Sequence, residues 1–295
     1  MRTKYLFIGL GNIGLPLVNR ISKFKYEHFY VYDKNKALLT ETTKKNNFLK
    51  PLNNLNDTTD FDIIFTCLPD SKTVKLVYKK ITTINTKNKI FVDFSTISPE
   101  ISKNNENLVK KIRSSYLQVP IFGSPNQAMN GTLYLLIAGS KLDYKKNNNK
   151  IVNKILKNIS RERKYIKKVE VASSLKIIQN GLGLIQFTAI AESLLRCEDQ
   201  KINSKLFIQT VLNAKGMAFS PLFEYYAPKL IKKNQKKTAT LNLVYKDLNE
   251  NIKLTKNISN LSLFKQTFEI YKKIIRNGHG HRSHLDLLRF LKNGK

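Results

Sequence analysis

In the first half of the chain, short apolar runs alternate with segments whose apolar positions recur at helical spacing. Apolar runs without polar interruption are typical of parallel strands that are covered on both faces. We expect strands at residues 5–8, 29–32, 62–68, 89–94, 116–122 and 132–138. We expect helices at residues 15–21, 37–43, 99–113 and 141–158, another from residue 74, and a loop with at most a weak strand at residues 46–60. This order predicts an α/β fold with a doubly wound parallel sheet.

The pattern changes near residue 165. Residues 172–197 contain no strong helix breaker except Gly181 and Gly183, and they predict a long, largely buried helix. Further helical patterns cover residues 205–214, 221–232, 243–254, 264–275 and 283–291. We therefore expect a nucleotide-binding domain over residues 1–164. An all-α domain over residues 165–295, beginning with the long helix, should follow it.

A glycine-rich turn joins the first strand to the first helix. It consists of Gly9, Leu10, Gly11, Asn12, Ile13 and Gly14. Gly9 permits the tight turn, Gly11 lets a pyrophosphate approach the backbone, and Gly14 lets the helix pack closely on the strand. Asp33, at the end of the second strand, has the position of a carboxylate that binds ribose hydroxyls. These features predict a Rossmann-type site for NAD. NADP is possible because Lys34 and Lys36 follow, and the alternative is a degenerate fold that binds no nucleotide.

Two hydroxyl side chains follow the strand at residues 89–94. Ligands of open α/β sheets bind beyond the carboxyl ends of the strands. Ser95 and Thr96 are therefore candidate site residues, and the family resemblance described below implies that Ser95 binds the substrate and Thr96 the cofactor. The alternative is that these hydroxyls only cap the strand end.

Motifs spread over nearly the whole chain resemble the β-hydroxyacid dehydrogenases. This family includes 3-hydroxyisobutyrate dehydrogenase, tartronate semialdehyde reductase and the glyoxylate/succinic semialdehyde reductases. The matching segments are residues 9–16, 66–69, 93–99, 120–124 with 131–133, 176–180 and 246–248. The resemblance implies an NAD(P)-dependent oxidoreductase that interconverts a short β-hydroxy acid and its semialdehyde. The second domain would then contribute to substrate binding and to dimerisation, with the substrate between the domains.

The resemblance also assigns roles to residues outside the glycine turn. Lys176 is the expected general acid and base, and Asn180 lies one helical turn further on the same face. Asn180 would hold Lys176 or the reacting oxygen in place. The remaining implied contacts are Gly123 and Ser124 with the substrate, Leu68 and Pro69 with the cofactor, and Lys246 with both. The alternative for either lysine is an ordinary solvated side chain.

Two positions depart from the family pattern. Phe122 replaces a serine whose hydroxyl helps to hold the substrate carboxylate, although Gly123 keeps a backbone N–H beside it. Gln118 and Val119 replace the usual acid and alanine before Pro120. Both changes point to a bulkier, more apolar pocket and leave the type of reaction unchanged.

The chain carries 52 basic and 21 acidic residues among 295, a formal net charge of +31. Such a charge favours polyanions such as nucleic acid. The basic residues are scattered along the chain, and Lys, Asn and Ile are abundant together, as codons from an A/T-rich genome would produce. We therefore expect no specific nucleic-acid partner.

Few other features change this interpretation. No apolar run approaches the ~18 residues of a membrane span, and the two cysteines, Cys67 and Cys197, form no paired motif. We expect a cytoplasmic protein with reduced thiols. His279, His281 and His284 lack the partners and spacing of a metal site, so no metal is expected.

The leading hypothesis is an enzyme that binds NAD and a small carboxylate substrate as a homodimer or homotetramer. One alternative is an imine reductase-like enzyme of the same fold. Retention of Lys176 argues against it. The other alternative is a non-catalytic nucleotide-binding or scaffold protein, which the net charge and Phe122 motivate.

Overall fold

The computed structural model describes residues 3–24, 27–84, 87–141, 146–232, 239–254 and 260–293. The chain divides into two compact units, Met1–Lys176 and Ile177–Lys295. The boundary expected from the sequence, between residues 164 and 165, falls inside a strand of the first unit. None of the helices in the described ranges combines the length and apolar character that a membrane crossing requires.

One nine-stranded sheet organises the first unit. Its strands are β1 Tyr5–Ile8, β2 Phe29–Tyr32, β3 Leu49–Pro51, β4 Ile63–Thr66, β5 Ile90–Asp93, β6 Ser115–Gln118, β7 Ile121–Phe122, β8 Leu133–Gly139 and β9 Ser160–Ile166. The order is β3-β2-β1-β4-β5-β6-β8-β7, and β9 pairs with β8. β1 to β6 are parallel, so the carboxyl ends of β1, β2, β4 and β5 lie at one edge.

The sheet is mixed, where an all-parallel sheet was expected. β8 is antiparallel to both β6 and β7. The apolar run at residues 116–122 is also two strands, not one. The break falls at Val119 and Pro120, because proline has no N–H to donate to a neighbouring strand. After this break, β7 pairs only with β8 and Phe122 ends the strand.

Helices cover both faces of the sheet, as the doubly wound pattern predicts. They are α1 Gly14–Ser22, α2 Lys36–Lys45, α3 Ser71–Ile84, α4 Pro99–Lys111, α5 Pro125–Asn130 and α6 Asn147–Asn158. Residues 142–145, where the helix at 141–158 was expected to begin, lie outside the described residues. Alternate residues of β1 belong to two cores: Tyr5 and Phe7 to one, Leu6 and Ile8 to the other. β1 is therefore buried on both sides, and so are β4 and β5.

β9 was not expected from the sequence. Its seven residues, Ser-Arg-Glu-Arg-Lys-Tyr-Ile, are mostly charged, and only Ser160 is buried. Its pairing with β8 gives the sheet a polar border, and charged side chains are common on edge strands. A search for apolar runs cannot detect such a strand.

The second unit is helical. Its helices are the C-terminal part of α7 Val169–Asp199, then α8 Ser204–Ala214, α9 Pro221–Leu230, α10 Leu241–Leu254, α11 Ser262–Arg276 and α12 Leu287–Asn293. Within the described part of this unit, β-structure is limited to an isolated bridge between Thr240 and Ser283. The core is formed by apolar residues from all of these helices.

The expectation that α7 is largely buried is wrong for one of its faces. Val171, Leu175, Ile178 and Leu182 are 41%, 44%, 52% and 54% exposed. Their spacing of four, three and four residues places them in one stripe along the helix. The helix is apolar around most of its circumference, so the core of a single chain covers only part of it.

Candidate active site

The three glycines of the first turn have different surroundings. Gly9 has a φ of +104°, and a Cβ there would lie 2.2 Å from the carbonyl oxygen of Cys67. A Cβ on Gly14 would lie 2.0 Å from the carbonyl oxygen of Gly9. A Cβ on Gly11 would meet no atom within 4 Å. Gly9 and Gly14 therefore serve close packing, whereas Gly11 leaves open space beside the backbone.

The N-terminus of α1 lies next to this open space. No side chain caps it, since Ile13 occupies the N-cap position. Asn12 and Gly11 are exposed, whereas Leu10 is buried. Uncapped N–H groups at a helix N-terminus are suited to bind phosphate oxygens, so the turn fits the pyrophosphate of a dinucleotide.

Asp33 follows β2 and connects it to the glycine turn. Its Oδ2 accepts a hydrogen bond of 2.7 Å from the Leu10 N–H, and its Oδ1 accepts one of 2.8 Å from the Asn35 N–H. The half-buried carboxylate keeps further lone pairs, which suit ribose hydroxyls. Lys34 is exposed, whereas Lys36 donates to the carbonyl of Asn53 at 2.8 Å.

Ser95, which was expected to bind the substrate, is almost completely buried. Its side chain is 2% exposed, and its Oγ accepts a 2.8 Å hydrogen bond from the Leu68 N–H. This bond joins the segments that follow β4 and β5. Thr96 is half-buried and Pro69 exposed. Ser95 thus ties the two strand ends together, and Thr96 is the more accessible hydroxyl.

Buried polar side chains form a hydrogen-bond network that includes the backbone of Ser95. Asp93 accepts hydrogen bonds from the Thr66 hydroxyl at 2.9 Å and from the Ser95 N–H at 2.9 Å. Gln118 accepts from the Tyr116 hydroxyl at 2.6 Å and donates to the Ser95 carbonyl at 3.0 Å. Burial raises the pKa of Asp93 to about 6, although hydrogen bonds from Ser95, Thr66 and Tyr116 oppose that shift. Gln118, fully buried, belongs to this network and does not face solvent.

Lys176 ends the first unit, and its side chain contacts Phe122. Lys176 is 9% exposed, and its Nζ lies 4.9 Å from the centroid of the Phe122 ring. Phe122 also contacts Tyr134. The two rings are nearly perpendicular, and their centroids are 5.8 Å apart. Gly123, directly after Phe122, is exposed. A buried lysine therefore stands beside the backbone turn that was expected to bind the substrate.

Ser124 has a local role as the N-cap of α5. Its Oγ accepts from the Gln127 N–H at 3.3 Å, and its own N–H donates to the Gln127 side chain at 2.9 Å. This reciprocal pair is a capping box. It fixes the end of the turn that contains Gly123.

In the second unit, Asn180 and Lys246 meet at one carboxylate. The Asn180 amide donates to Asp247 Oδ2 at 2.9 Å, and Lys246 Nζ lies 2.7 Å from Asp247 Oδ1. The motif at residues 246–248 contains Asp247, but its role as a bridge was not anticipated. Because a carboxylate accepts from several donors at once, Asp247 orients both side chains.

The described residues contain no group of three or more His, Cys, Asp or Glu side chains that could hold a metal ion. His284 of the histidine cluster packs in the second core, 4.4 Å from Phe187 and 5.4 Å from Tyr226 between ring centroids. Its burial lowers its pKa to about 4. His284 is therefore a neutral core residue near pH 7.

The expected site residues thus fall into two groups. The glycine turn, Asp33, the residues after β4 and β5, the Phe122 turn and Lys176 belong to the first unit. Asn180 and Lys246 belong to the second. Lys176 and Asn180 are one turn apart on α7.

A family model described as the NAD binding domain of 6-phosphogluconate dehydrogenase matches residues 4–168, more than half of the chain. The chain is 22% identical over 225 residues to the mitochondrial 3-hydroxyisobutyrate dehydrogenase of Drosophila melanogaster, covering 75% of this chain and 66% of that relative. It is 24% identical over 311 residues to a probable mitochondrial 3-hydroxyisobutyrate dehydrogenase of Arabidopsis thaliana, covering 98% and 87%. The alignment thus spans slightly less than two thirds of the fly relative.

A solved structure with a similar fold is Psf3 in complex with NADP+ and 2-OPP. Its TM-score is 0.86 at 16% identity, over 97% of this chain and 99% of the other. At this identity the similarity concerns the fold. It agrees with a Rossmann sheet followed by helices.

Proposed function

Since the chain belongs to the β-hydroxyacid dehydrogenase family through its NAD-binding domain, we propose that it interconverts a short β-hydroxy acid and the matching semialdehyde. The family makes it an oxidoreductase that uses NAD or NADP. The activity toward a β-hydroxy acid is supported by the 3-hydroxyisobutyrate dehydrogenases among its relatives. The observation that carries the proposal is the buried Lys176 beside the Phe122–Gly123 turn, in the unit that contains the glycine turn.

The side chains have distinct tasks in this proposal. A bound nicotinamide would supply the hydride-transfer chemistry of the reaction in either direction. Lys176 gives a proton from Nζ to the carbonyl oxygen as it becomes a hydroxyl, and the amine then regains a proton from water. Asn180 and Lys246, oriented by Asp247, bind the reacting oxygen and the substrate carboxylate.

The turn and the strand ends would hold the cofactor. Residues 9–14 bind the pyrophosphate through backbone N–H groups, Asp33 binds the ribose, and residues 68, 69 and 96 line the remaining contacts. Asp33 favours NAD because a carboxylate repels a 2′-phosphate. Titration of the protein with NADH and NADPH tests this preference, and clearly tighter binding of NADPH would contradict it.

Replacement of the proposed proton donor tests the activity itself. A general acid–base group typically contributes ~10²–10⁴-fold, so Lys176→Ala should lower kcat by at least ~10²-fold. The cofactor Kd should change little, because Lys176 makes no contact with the adenosine or the pyrophosphate in this proposal. Lys168→Ala, an exposed lysine before the same helix, is the matched control. Turnover of Lys176→Ala at the level of that control would remove Lys176 from the mechanism.

Two other functions are distinguished by the same measurements. An imine reductase of this fold would reduce imines and would not oxidise hydroxy acids. A scaffold protein would show no turnover, and its basic surface would bind duplex DNA. Under the enzyme hypothesis, we expect the binding of this protein to duplex DNA to be sequence-independent and to be lost at moderate salt, because counterion release alone drives it.

We further propose a homodimer or homotetramer. The exposed apolar stripe of α7, which includes Ile178 and Leu182, supports an interface between copies of the chain. Light scattering after size-exclusion chromatography measures the mass, and a monomer at micromolar concentration would contradict the proposal.

We propose a cytoplasmic location, since Cys67 and Cys197 are both free thiols. Fractionation of the source cells tests it.

A further inference from the structure

A cavity of about 390 Å³ opens at the carboxyl ends of β8 and β9, within the first unit. β8 is antiparallel to β6, and β9 is parallel to β8. Their carboxyl ends therefore lie at the edge of the sheet opposite to the edge that carries the glycine turn. The cavity is thus separate from the candidate active site.

The inner wall of the cavity is apolar. It is formed by Leu117 of β6, Ile137 of β8 and Leu156 of α6, which are 2%, 3% and 1% exposed. Cavities of ~300–1,000 Å³ with apolar walls and a few polar groups are typical of small-molecule sites. This cavity is near the lower limit, so it suits an apolar body about as large as one phenyl ring.

Tyr165 lines the cavity and is 54% exposed. Its hydroxyl donates a 3.3 Å hydrogen bond to Oδ1 of Asn153, a lining residue from α6. This bond restricts the orientation of the ring and leaves much of its surface open. A second ring that packs against it, edge-on or offset, gains more than the buried area alone would give. The exposed ring therefore favours an aromatic ligand over an alkyl chain.

Three groups that donate hydrogen bonds line the same cavity. Lys141 and Lys167 follow β8 and β9 and are exposed, and neither forms an ion pair within the described residues. Ser140 Oγ accepts a 3.0 Å hydrogen bond from the Tyr116 N–H, which leaves its own O–H to donate. The described lining residues include no carboxylate. An apolar wall beside two ammonium groups suits an anion with an apolar body.

We propose that this cavity binds a small aromatic carboxylate. The ring of the ligand packs on the apolar wall and against Tyr165. Its carboxylate accepts hydrogen bonds from Lys141, Lys167 and the Ser140 hydroxyl, and such charge-assisted bonds are the stronger kind. The site is independent of the proposed oxidoreductase activity, because it shares no residue with the candidate active site.

Titrations of the isotope-labelled protein, followed by NMR, compare phenylacetate with acetate and with phenylacetamide. Phenylacetate should bind roughly ten- to a hundredfold more tightly than acetate, because it buries a phenyl group. It should bind roughly fivefold more tightly than phenylacetamide, because it forms exposed ion pairs, and added salt should reduce this difference. The backbone N–H signals of residues 137–141 and 165–167 should shift most.

Charge reversal of both lysines tests the carboxylate contact. Lys141→Glu combined with Lys167→Glu should weaken phenylacetate binding roughly tenfold or more and leave phenylacetamide binding unchanged. Lys157→Glu combined with Lys164→Glu is the matched control. It changes the net charge equally, at two exposed lysines of α6 and β9 that do not line the cavity, and it should bind phenylacetate as the wild type does.

Substitution of Tyr165 tests the aromatic contact. Tyr165→Ala should weaken phenylacetate binding roughly two- to tenfold and leave acetate binding unchanged. Tyr165→Phe keeps the ring and should retain most of the affinity. An unchanged affinity for phenylacetate in Tyr165→Ala would overturn the preference for an aromatic ligand.

Three other results would overturn the inference as a whole. They are equal affinities for phenylacetate and acetate, equal affinities for phenylacetate in the two double variants, and loss of phenylacetate binding in Lys176→Ala. The last result would place the ligand in the candidate active site. Absence of turnover of every hydroxy acid would contradict the proposed function and leave this inference standing.

Discussion

Alanine substitutions at Gly11 and Gly14 separate cofactor binding from folding. A Cβ at Gly14 would stand 2.0 Å from the Gly9 carbonyl oxygen, which is backbone and cannot rotate away. Forcing such a contact costs about 1–3 kcal/mol. With roughly 2–4 °C per kcal/mol for a chain of this size, Gly14→Ala should lower the Tm by about 2–12 °C.

Gly11→Ala should behave in the opposite way. Its Cβ would meet nothing within 4 Å, so the change in stability should stay within about 0.5 kcal/mol. The methyl group would, however, occupy the approach of the pyrophosphate to the backbone. Loss of one hydrogen bond to a charged phosphate is worth about 1.5–3 kcal/mol, which is roughly a ten- to hundredfold weaker Kd.

Thermal unfolding without and with NADH measures both effects. At 100 times its Kd, a ligand stabilises the native state by about 2.7 kcal/mol. This ligand-induced rise in Tm should be large in the wild type and small in Gly11→Ala at the same NADH concentration. The reasoning is refuted if Gly11→Ala unfolds as early as Gly14→Ala without ligand. It is refuted equally if Gly11→Ala binds NADH as tightly as the wild type.

Three further predictions follow from single contacts. Asp247→Asn removes the ion pair with Lys246 and should lower kcat/KM about tenfold or more; Asp286→Asn, a surface ion-pair control in the same unit, should leave kcat/KM unchanged. The raised pKa of Asp93, about 6, means that the native state binds its proton more tightly than the unfolded chain. Protonation of Asp93 therefore stabilises the native state at low pH, and this contribution is lost as the pH rises from about 4 to 6. In urea melts across that range, the wild type should lose stability relative to Asp93→Asn, which has no carboxyl group to ionise. Gly181→Ala should lose about 1–3 kcal/mol, since its Cβ would lie 2.5 Å from two side chains, whereas Gly183→Ala, 3.6 Å from its nearest neighbour, should gain up to about 1 kcal/mol. Equal unfolding midpoints for this pair would contradict the contact geometry.

Hydrophobic pattern predicted the strands that are apolar along their whole length. Residues 5–8 and 29–32 coincide with β1 and β2, whose residues are buried or partly buried. The pattern failed at a strand that is mostly polar and exposed. β9 is charged and lies at the border of the sheet, so its pairing with β8 depends on the backbone alone.

The antiparallel pairing of β7 with β8 was not predicted, for a different reason. Strand direction is set by what lies between two strands. Only the short helix α5 separates β7 from β8, and its capping box at Ser124 turns the chain back at once. A parallel connection needs a crossover of a dozen or more residues, which residues 123–132 do not supply.

Among the candidate site residues, the sequence motifs indicated positions but not partners. Lys176 and Asn180 were identified by their motif and helical spacing, whereas the carboxylate of Asp247 that orients Asn180 comes from α10. Such a partner is 67 residues away in sequence. No local pattern encodes a hydrogen bond over that separation.

Gln118 and Phe122, which both depart from the family pattern, differ in how deeply they are buried. Gln118 is fully buried, and it both accepts from the Tyr116 hydroxyl and donates to the Ser95 carbonyl. An ionised acid at this position could not donate, and it would place a second negative charge near buried Asp93. Gln118 thus stabilises the segment after β5 and has no side-chain surface exposed to solvent. Phe122 is half-buried and contacts Lys176 directly, so of the two departures Phe122 is the one that we expect to affect the substrate.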